Sequence, residues 1–175
     1  IMPCTPSGPD DAACLGAFVS SFGRRALRRP LRSDELDEMA AQFQPFAEAG
    51  QDFFIAAGMT IAAVRQDSEL IYRIELGTPV PGEQGVFKLS DHELGSRLSY
   101  FILGTTPPDW LLDRADLGQL ASPEQVRDAA TKLMGEPRAK DRVERFHALW
   151  LGFHQLPHPA ELVAELRGET RALIE

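Results

Sequence analysis

Apolar residues return every three or four positions through most of this chain, and almost nowhere do polar and apolar residues alternate as in a half-buried strand. That period restricts the chain to an all-α fold, a multi-helix bundle. A first helix is expected over residues 11–29, with Leu15, Phe18, Val19, Phe22 and Ala26 on one stripe and Pro30 ending it. A second starts at the cap Ser33, has Asp34 and Glu35 in its first turn, and turns Leu36, Met39, Ala40 and Phe43 inward. Gly50 separates it from a third, over residues 52–66, with Phe53, Ala57, Ile61 and Val64 on one face. A short fourth is expected over residues 68–76.

Gly77, Pro79, Pro81, Gly82 and Gly85 then crowd together with no apolar period, which marks residues 77–88 as a linker loop. The chain therefore reads as two small helical subdomains, 1–76 and 89–175. The second opens on Ser90 and Glu93, the S-x-x-E spacing of a capping box, followed by a stripe of Leu94, Leu98, Phe101 and Ile102 that stops at Gly104 and the Pro107-Pro108 pair. Ser122-Pro123 is another helix start, with Val126, Ala129, Ala130 and Leu133 facing inward. A helix over residues 138–151 is expected to bury Val143, Phe146 and Trp150. The last helix, 159–175, carries Leu162, Val163, Leu166 and Leu173 or Ile174 with no Gly or Asn cap after it, so the second domain is expected to be truncated and the chain to be a fragment of a longer polypeptide.

At 175 residues, 43% hydrophobic and 25% charged, the chain has ordinary globular composition. Its longest apolar stretch, residues 53–64, is interrupted by Gly58 and Thr60 and falls short of the about 20 residues a membrane span needs. A net charge of -8 repels phosphate backbones and argues against nucleic-acid binding. Arg24, Arg25, Arg28 and Arg29 are the local exception. They fall at i,i+4 pairs and form two rows on a helix, which serve either as a solvated face balancing the acidic excess or as a hold on an acidic partner surface or carboxylated ligand.

The two cysteines, Cys4 and Cys14, lie in a Pro-, Gly- and Asp-rich segment. They read either as the one disulfide of an exported protein or as two free thiols of a cytosolic one. Of four histidines, His92 falls opposite its helix's apolar stripe and is expected in solvent, whereas His147 sits at a stripe edge, half-buried and hydrogen-bonded. His154 and His158 have H-x₃-H spacing, but Pro157 and Pro159 make that segment a turn, so no metal is expected there. No serine occupies a G-x-S-x-G elbow, and Asp91, Glu93, Asp109 and Asp113 fall at helix starts where the dipole favours them. Phe53, Phe54, Phe101, Trp110, Phe146 and Trp150 read most simply as core; a pocket between helices would use the same residues.

Four longer motifs occur in order: Phe22-Gly-Arg-Arg-Ala-Leu-Arg-Arg-Pro-Leu31, Leu70-Ile-Tyr-Arg-Ile-Glu-Leu-Gly77, Leu89-Ser-Asp-His-Glu-Leu-Gly-Ser-Arg-Leu-Ser-Tyr-Phe101 and Phe146-His-Ala-Leu-Trp-Leu-Gly152. Together they resemble the exported multidomain proteins of planctomycete and myxobacterial type that are associated with c-type cytochromes. Pro108-Asp109, the Gly118-to-Pro123 turn and Pro137-Arg-Ala139 add shorter matches, while Ile102-Leu103 and Asp67-Ser-Glu69 depart from the usual Leu-Trp pair and Ser-Pro turn of that family. The resemblance implies two adjoining domains of unknown function, the second incomplete, a periplasmic or secreted location, and a redox or electron-transfer context. It also favours the Cys4–Cys14 disulfide. Haem c would sit in other domains of the parent protein, since this chain has no C-x-x-C-H, and no cofactor is expected within the chain itself. The partners implied are other domains or chains of the same protein. The function expected is a non-catalytic helical scaffold or interaction segment. The alternative is part of an oxidoreductase or hydrolase active site completed by further chain, with Arg24, Arg25, Arg28, Arg29 and His147 as its first candidates.

Overall fold

The computed structural model describes residues 2–50, 52–152 and 159–174, and it is predominantly helical. In chain order the elements are α1 (Ala12–Leu27), α2 (Ser33–Gly50), α3 (Phe53–Val64), α4 (Ser68–Ile71), β1 (Thr78–Pro79), β2 (Phe87–Lys88), α5 (Asp91–Ile102), α6 (Asp109–Asp116), α7 (Pro123–Met134), α8 (Pro137–Trp150) and α9 (Ala160–Ile174). Most helix starts are where the sequence signals them, although Ser33 is the first residue of α2 rather than its cap. Asp11, Asp52 and Asp67 accept amides of the first turns of α1, α3 and α4, and both Ser90/Glu93 and Ser122/Gln125 close reciprocal capping boxes.

Two elements differ from expectation. α4 stops at Ile71 rather than continuing to residue 76, because the Arg28 guanidinium takes the carbonyls of Glu69 and Leu70 that the amides of Arg73 and Ile74 would otherwise reach. Residues 77–88 also form more than a loop. β1 and β2 pair antiparallel, Thr78 opposite Lys88 and Pro79 opposite Phe87. Gly77 makes this pairing possible: its φ is +60°, and a Cβ there would lie 2.8 Å from the Lys88 carbonyl oxygen.

The apolar residues gather in two clusters that share no member. The first joins Leu15, Phe18 and Val19 of α1 to Phe43 and Ala47 of α2 and Phe53, Ala56 and Ala57 of α3, with the Phe43 and Phe53 rings 5.1 Å apart. The second joins Ile102 and Leu103 to Leu111, Ala115, Leu120, Ala129, Leu133 and Ala139. Both are built as the helical period requires, but several large aromatics lie outside them. On α5 the buried face runs through Gly95, Ser99 and Ile102, so Phe101 points elsewhere and is 78% exposed. Small residues win this face because they let α5 approach its neighbours; a Cβ at Gly95 would already meet Leu120 at 3.3 Å. α8 likewise buries its alanines, Ala139 and Ala148, and leaves Phe146 and Trp150 58% and 71% exposed. Phe54 on α3 is exposed too, while Trp110 is half-buried beneath the Lys132 ammonium. Among the described residues no helix is long and apolar enough to cross a membrane.

Candidate functional site

Cys4 and Cys14 are joined as a disulfide, which pins the irregular N-terminal segment to the first turn of α1. Asp11 reinforces the same corner. Its carboxylate accepts from the Cys14 amide and from the Ser7 amide and hydroxyl, and these bonds hold its pKa down at about 2.

The arginine rows of α1 each end on a group of the same chain. Arg24 reaches Asp113 at 2.7 Å and Asp116 at 2.5 Å, and Arg25 grips both oxygens of Asp109 at 3.0 and 2.6 Å, so both bridge from α1 to α6. Arg29 ties Glu35 at the start of α2 to Glu69 of α4, with four bonds of 2.7–2.9 Å. The Glu35 carboxyl, facing Arg29 and accepting the Arg32 amide, is held down at about 2. Arg28 is of another kind. It is 4% exposed, has the left-handed φ of 61° at the C-cap of α1, and donates to the carbonyls of Ala26, Glu69, Leu70 and Tyr72. These arginines are engaged within the chain while the Arg25 side chain stays 54% exposed, and the acidic surface that Arg24 and Arg25 meet belongs to α6.

Arg28, Arg29 and Glu69 line a cleft of about 690 Å³ between the end of α1, residues 73–78 and the start of α5. Glu93 is a fixed part of its lining. One oxygen accepts the amides of Leu76 at 2.7 Å and Gly77 at 3.1 Å, and the other accepts that of Ser90 at 2.7 Å. Partial burial pushes against ionisation here, yet the three amides prevail and hold the carboxyl at about 2. His92 is half-buried at the cleft rim rather than in solvent, because Asp116 draws its Nε2 to 2.7 Å. His147 lies elsewhere, with Nδ1 2.8 Å from the Val143 carbonyl oxygen and its ring edge-on to Phe146. His154 and His158 lie outside the described residues, and among those described no group of three or more His, Cys, Asp or Glu is placed to hold a metal.

Sequence reasoning located the arginines but not their carboxylates. Asp109 and Asp113 were visible as helix-start residues, whereas nothing in their spacing linked them to positions 84 and 89 residues earlier.

The fold and its ties define a predominantly α-helical, disulfide-stapled protein in which several charged groups join its own elements. Residues 89–174, from the strand-to-helix junction before α5 through α9, match the family model PSD4, described as a protein of unknown function (DUF1592). No curated protein and no solved structure matches the chain.

Proposed function

We propose that this chain is a non-catalytic helical scaffold and interaction segment of a larger exported protein associated with c-type cytochromes, working in a redox or electron-transfer context. The observation that carries the reading is the use made of the α1 arginines: all four are engaged within the chain, three by carboxylates and Arg28 by carbonyls, so they hold the helices in a fixed arrangement. The PSD4 match attaches no reaction to the second half. The disulfide supports an exported location. Covalent haem does not fit this chain, because its two cysteines are bonded to each other; haem c belongs to other domains of the parent protein in this reading. The division into units 1–76 and 89–175, and the placement of the latter as the opening of a longer domain, form part of the same proposal.

A reduced-minus-oxidised visible spectrum of the intact native assembly tests it. Haem bands that co-purify with this chain are the expected result, and a blank spectrum removes the cytochrome context. The competing reading, part of an active site completed by other chain, is favoured by the His92–Asp116 pair at the cleft rim. It requires that His92→Ala or His147→Ala in the complete protein abolish turnover while the melting temperature holds.

A further inference from the structure

The α1 arginines are occupied, but a second arginine group is only partly so. Arg73, Arg97 and Arg142 come from three elements and line one depression of about 350 Å³ with Glu75, Tyr100 and Phe101. Three arginines share this lining with one carboxylate, and Arg97 already holds it, with Nε 3.0 Å from Glu75 Oε2. Arg73 lies over the Tyr100 ring, 4.9 Å from its centroid. Arg142 is laid along the turn that ends α5, where a Cβ on Gly104 would meet its stem at 3.4 Å. Among the described residues neither Arg73 nor Arg142 forms an ion pair. An uncompensated cationic patch in a chain of net charge -8 contrasts with the rest of the surface.

One lining residue, Arg142, also heads an apolar strip on α8. Arg142, Phe146 and Trp150 occur at i, i+4 and i+8 of α8 and so share one face, and the Phe146 and Trp150 rings stack at 6.0 Å with 26° between planes. Phe101 lies at the arginine end of this strip and is largely exposed. Exposed aromatics beside arginine forks are the residue types that dominate protein interfaces.

We propose that this surface docks an acidic polypeptide segment supplied in trans, with carboxylates at the Arg73 and Arg142 end and apolar side chains against Phe146 and Trp150. The charge complementarity selects the occupant: guanidinium forks match carboxylates bidentately, and the face from Arg142 through Phe146 to Trp150 spans roughly 12 Å at 1.5 Å per residue, about two turns of a bound helix. The inference rests on the chain being an interaction segment, but not on the haem context.

The test uses the full chain and a fluorescein-labelled synthetic peptide of twelve residues, with paired glutamates at one end and leucine and phenylalanine at helical spacing beyond them, followed by fluorescence anisotropy. Saturable binding is expected, weakened at least tenfold by Arg142→Glu and by Phe146→Ala, with Arg142→Glu gaining affinity for the same peptide carrying Lys in place of Glu. Arg127→Glu, on α7, is expected to bind as the unaltered chain does. Circular dichroism establishes that each variant is folded, and both altered side chains are exposed. No binding by the unaltered chain, or binding indifferent to Arg142→Glu, overturns the proposal. So does self-association that Arg142→Glu dissolves, which gives the surface to a second copy, or tighter binding to vesicles of anionic phospholipid, which gives it to a membrane. A blank haem spectrum with intact peptide binding separates failure of the cytochrome context from failure of this inference.

Discussion

Arg24 and Asp116 meet at 2.5 Å although 92 positions separate them, and Asp113 shares the same guanidinium. The Arg24 side chain is 22% exposed, so this contact is partly shielded from solvent. Arg24→Glu would set three carboxylates together, and a loss of about 1 kcal/mol is expected for the ion pairs alone. Urea titration checks it; the loss should shrink in 0.5 M salt, and adding Asp116→Arg should recover part of it.

The disulfide closes a short loop between residues ten positions apart. Replacing both Cys4 and Cys14 by serine is expected to lower stability by about 2–3 kcal/mol, the loop-closure value for such a length. A shift of the urea midpoint reports the loss, and dithiothreitol should bring the unaltered chain to the same midpoint. Alkylation of native, unreduced protein should label neither residue.

Arg28 is the least replaceable of the four α1 arginines. Arg28→Gly accommodates the φ of 61° without strain, yet strips the donor from the Glu69 and Tyr72 carbonyls, and a loss of about 2–3 kcal/mol is expected. Arg28→Lys should recover only a fraction, because one ammonium cannot reproduce a planar fork. The helical signal near α4 in hydrogen exchange distinguishes the two.

Glu93 links stability to pH. Its carboxyl is held at about 2 in the folded chain against an ordinary 4.5, so its contribution is complete above pH 4.5 and disappears as pH falls toward 2. Glu35 and Asp11, also held at about 2, titrate in the same direction. The melting temperature is therefore expected to fall between pH 5 and pH 2. Glu93→Gln should flatten that slope and cost about 1 kcal/mol at neutral pH through the weakened capping box. A melting temperature independent of pH across this window would contradict the assignment.

How far the fold was legible depended on whether the deciding force was local. Capping at Ser90 and Ser122 depends on residues three positions apart, and the structure has both boxes. The all-α class followed from the apolar period for the same reason. The apolar period alone carries α4 on to residue 76 because its terminator, Arg28, lies over 40 positions upstream, and it shows no hairpin because the strands are two residues each. Burial departs from the stripe where size and periodicity conflict: Phe101, Phe146 and Trp150 fit a stripe, but Gly95, Ser99 and the α8 alanines allow closer helix contact and take the inside. The Arg73–Arg97–Arg142 depression carried no signal at all in the sequence, since its members share neither an element nor a spacing.

The Phe146–Trp150 stack has an optical consequence. The chain has two tryptophans, and their surroundings differ sharply: Trp110 is half-buried against the Lys132 ammonium, 4.0 Å from its ring centroid, whereas Trp150 faces water on a stacked phenylalanine. The indole of Trp150 should therefore emit at longer wavelength and yield readily to iodide, while that of Trp110 stays bluer and shielded. Nature has left this face its own dye, so that whatever comes to cover it will announce itself by a change of colour without a label being attached.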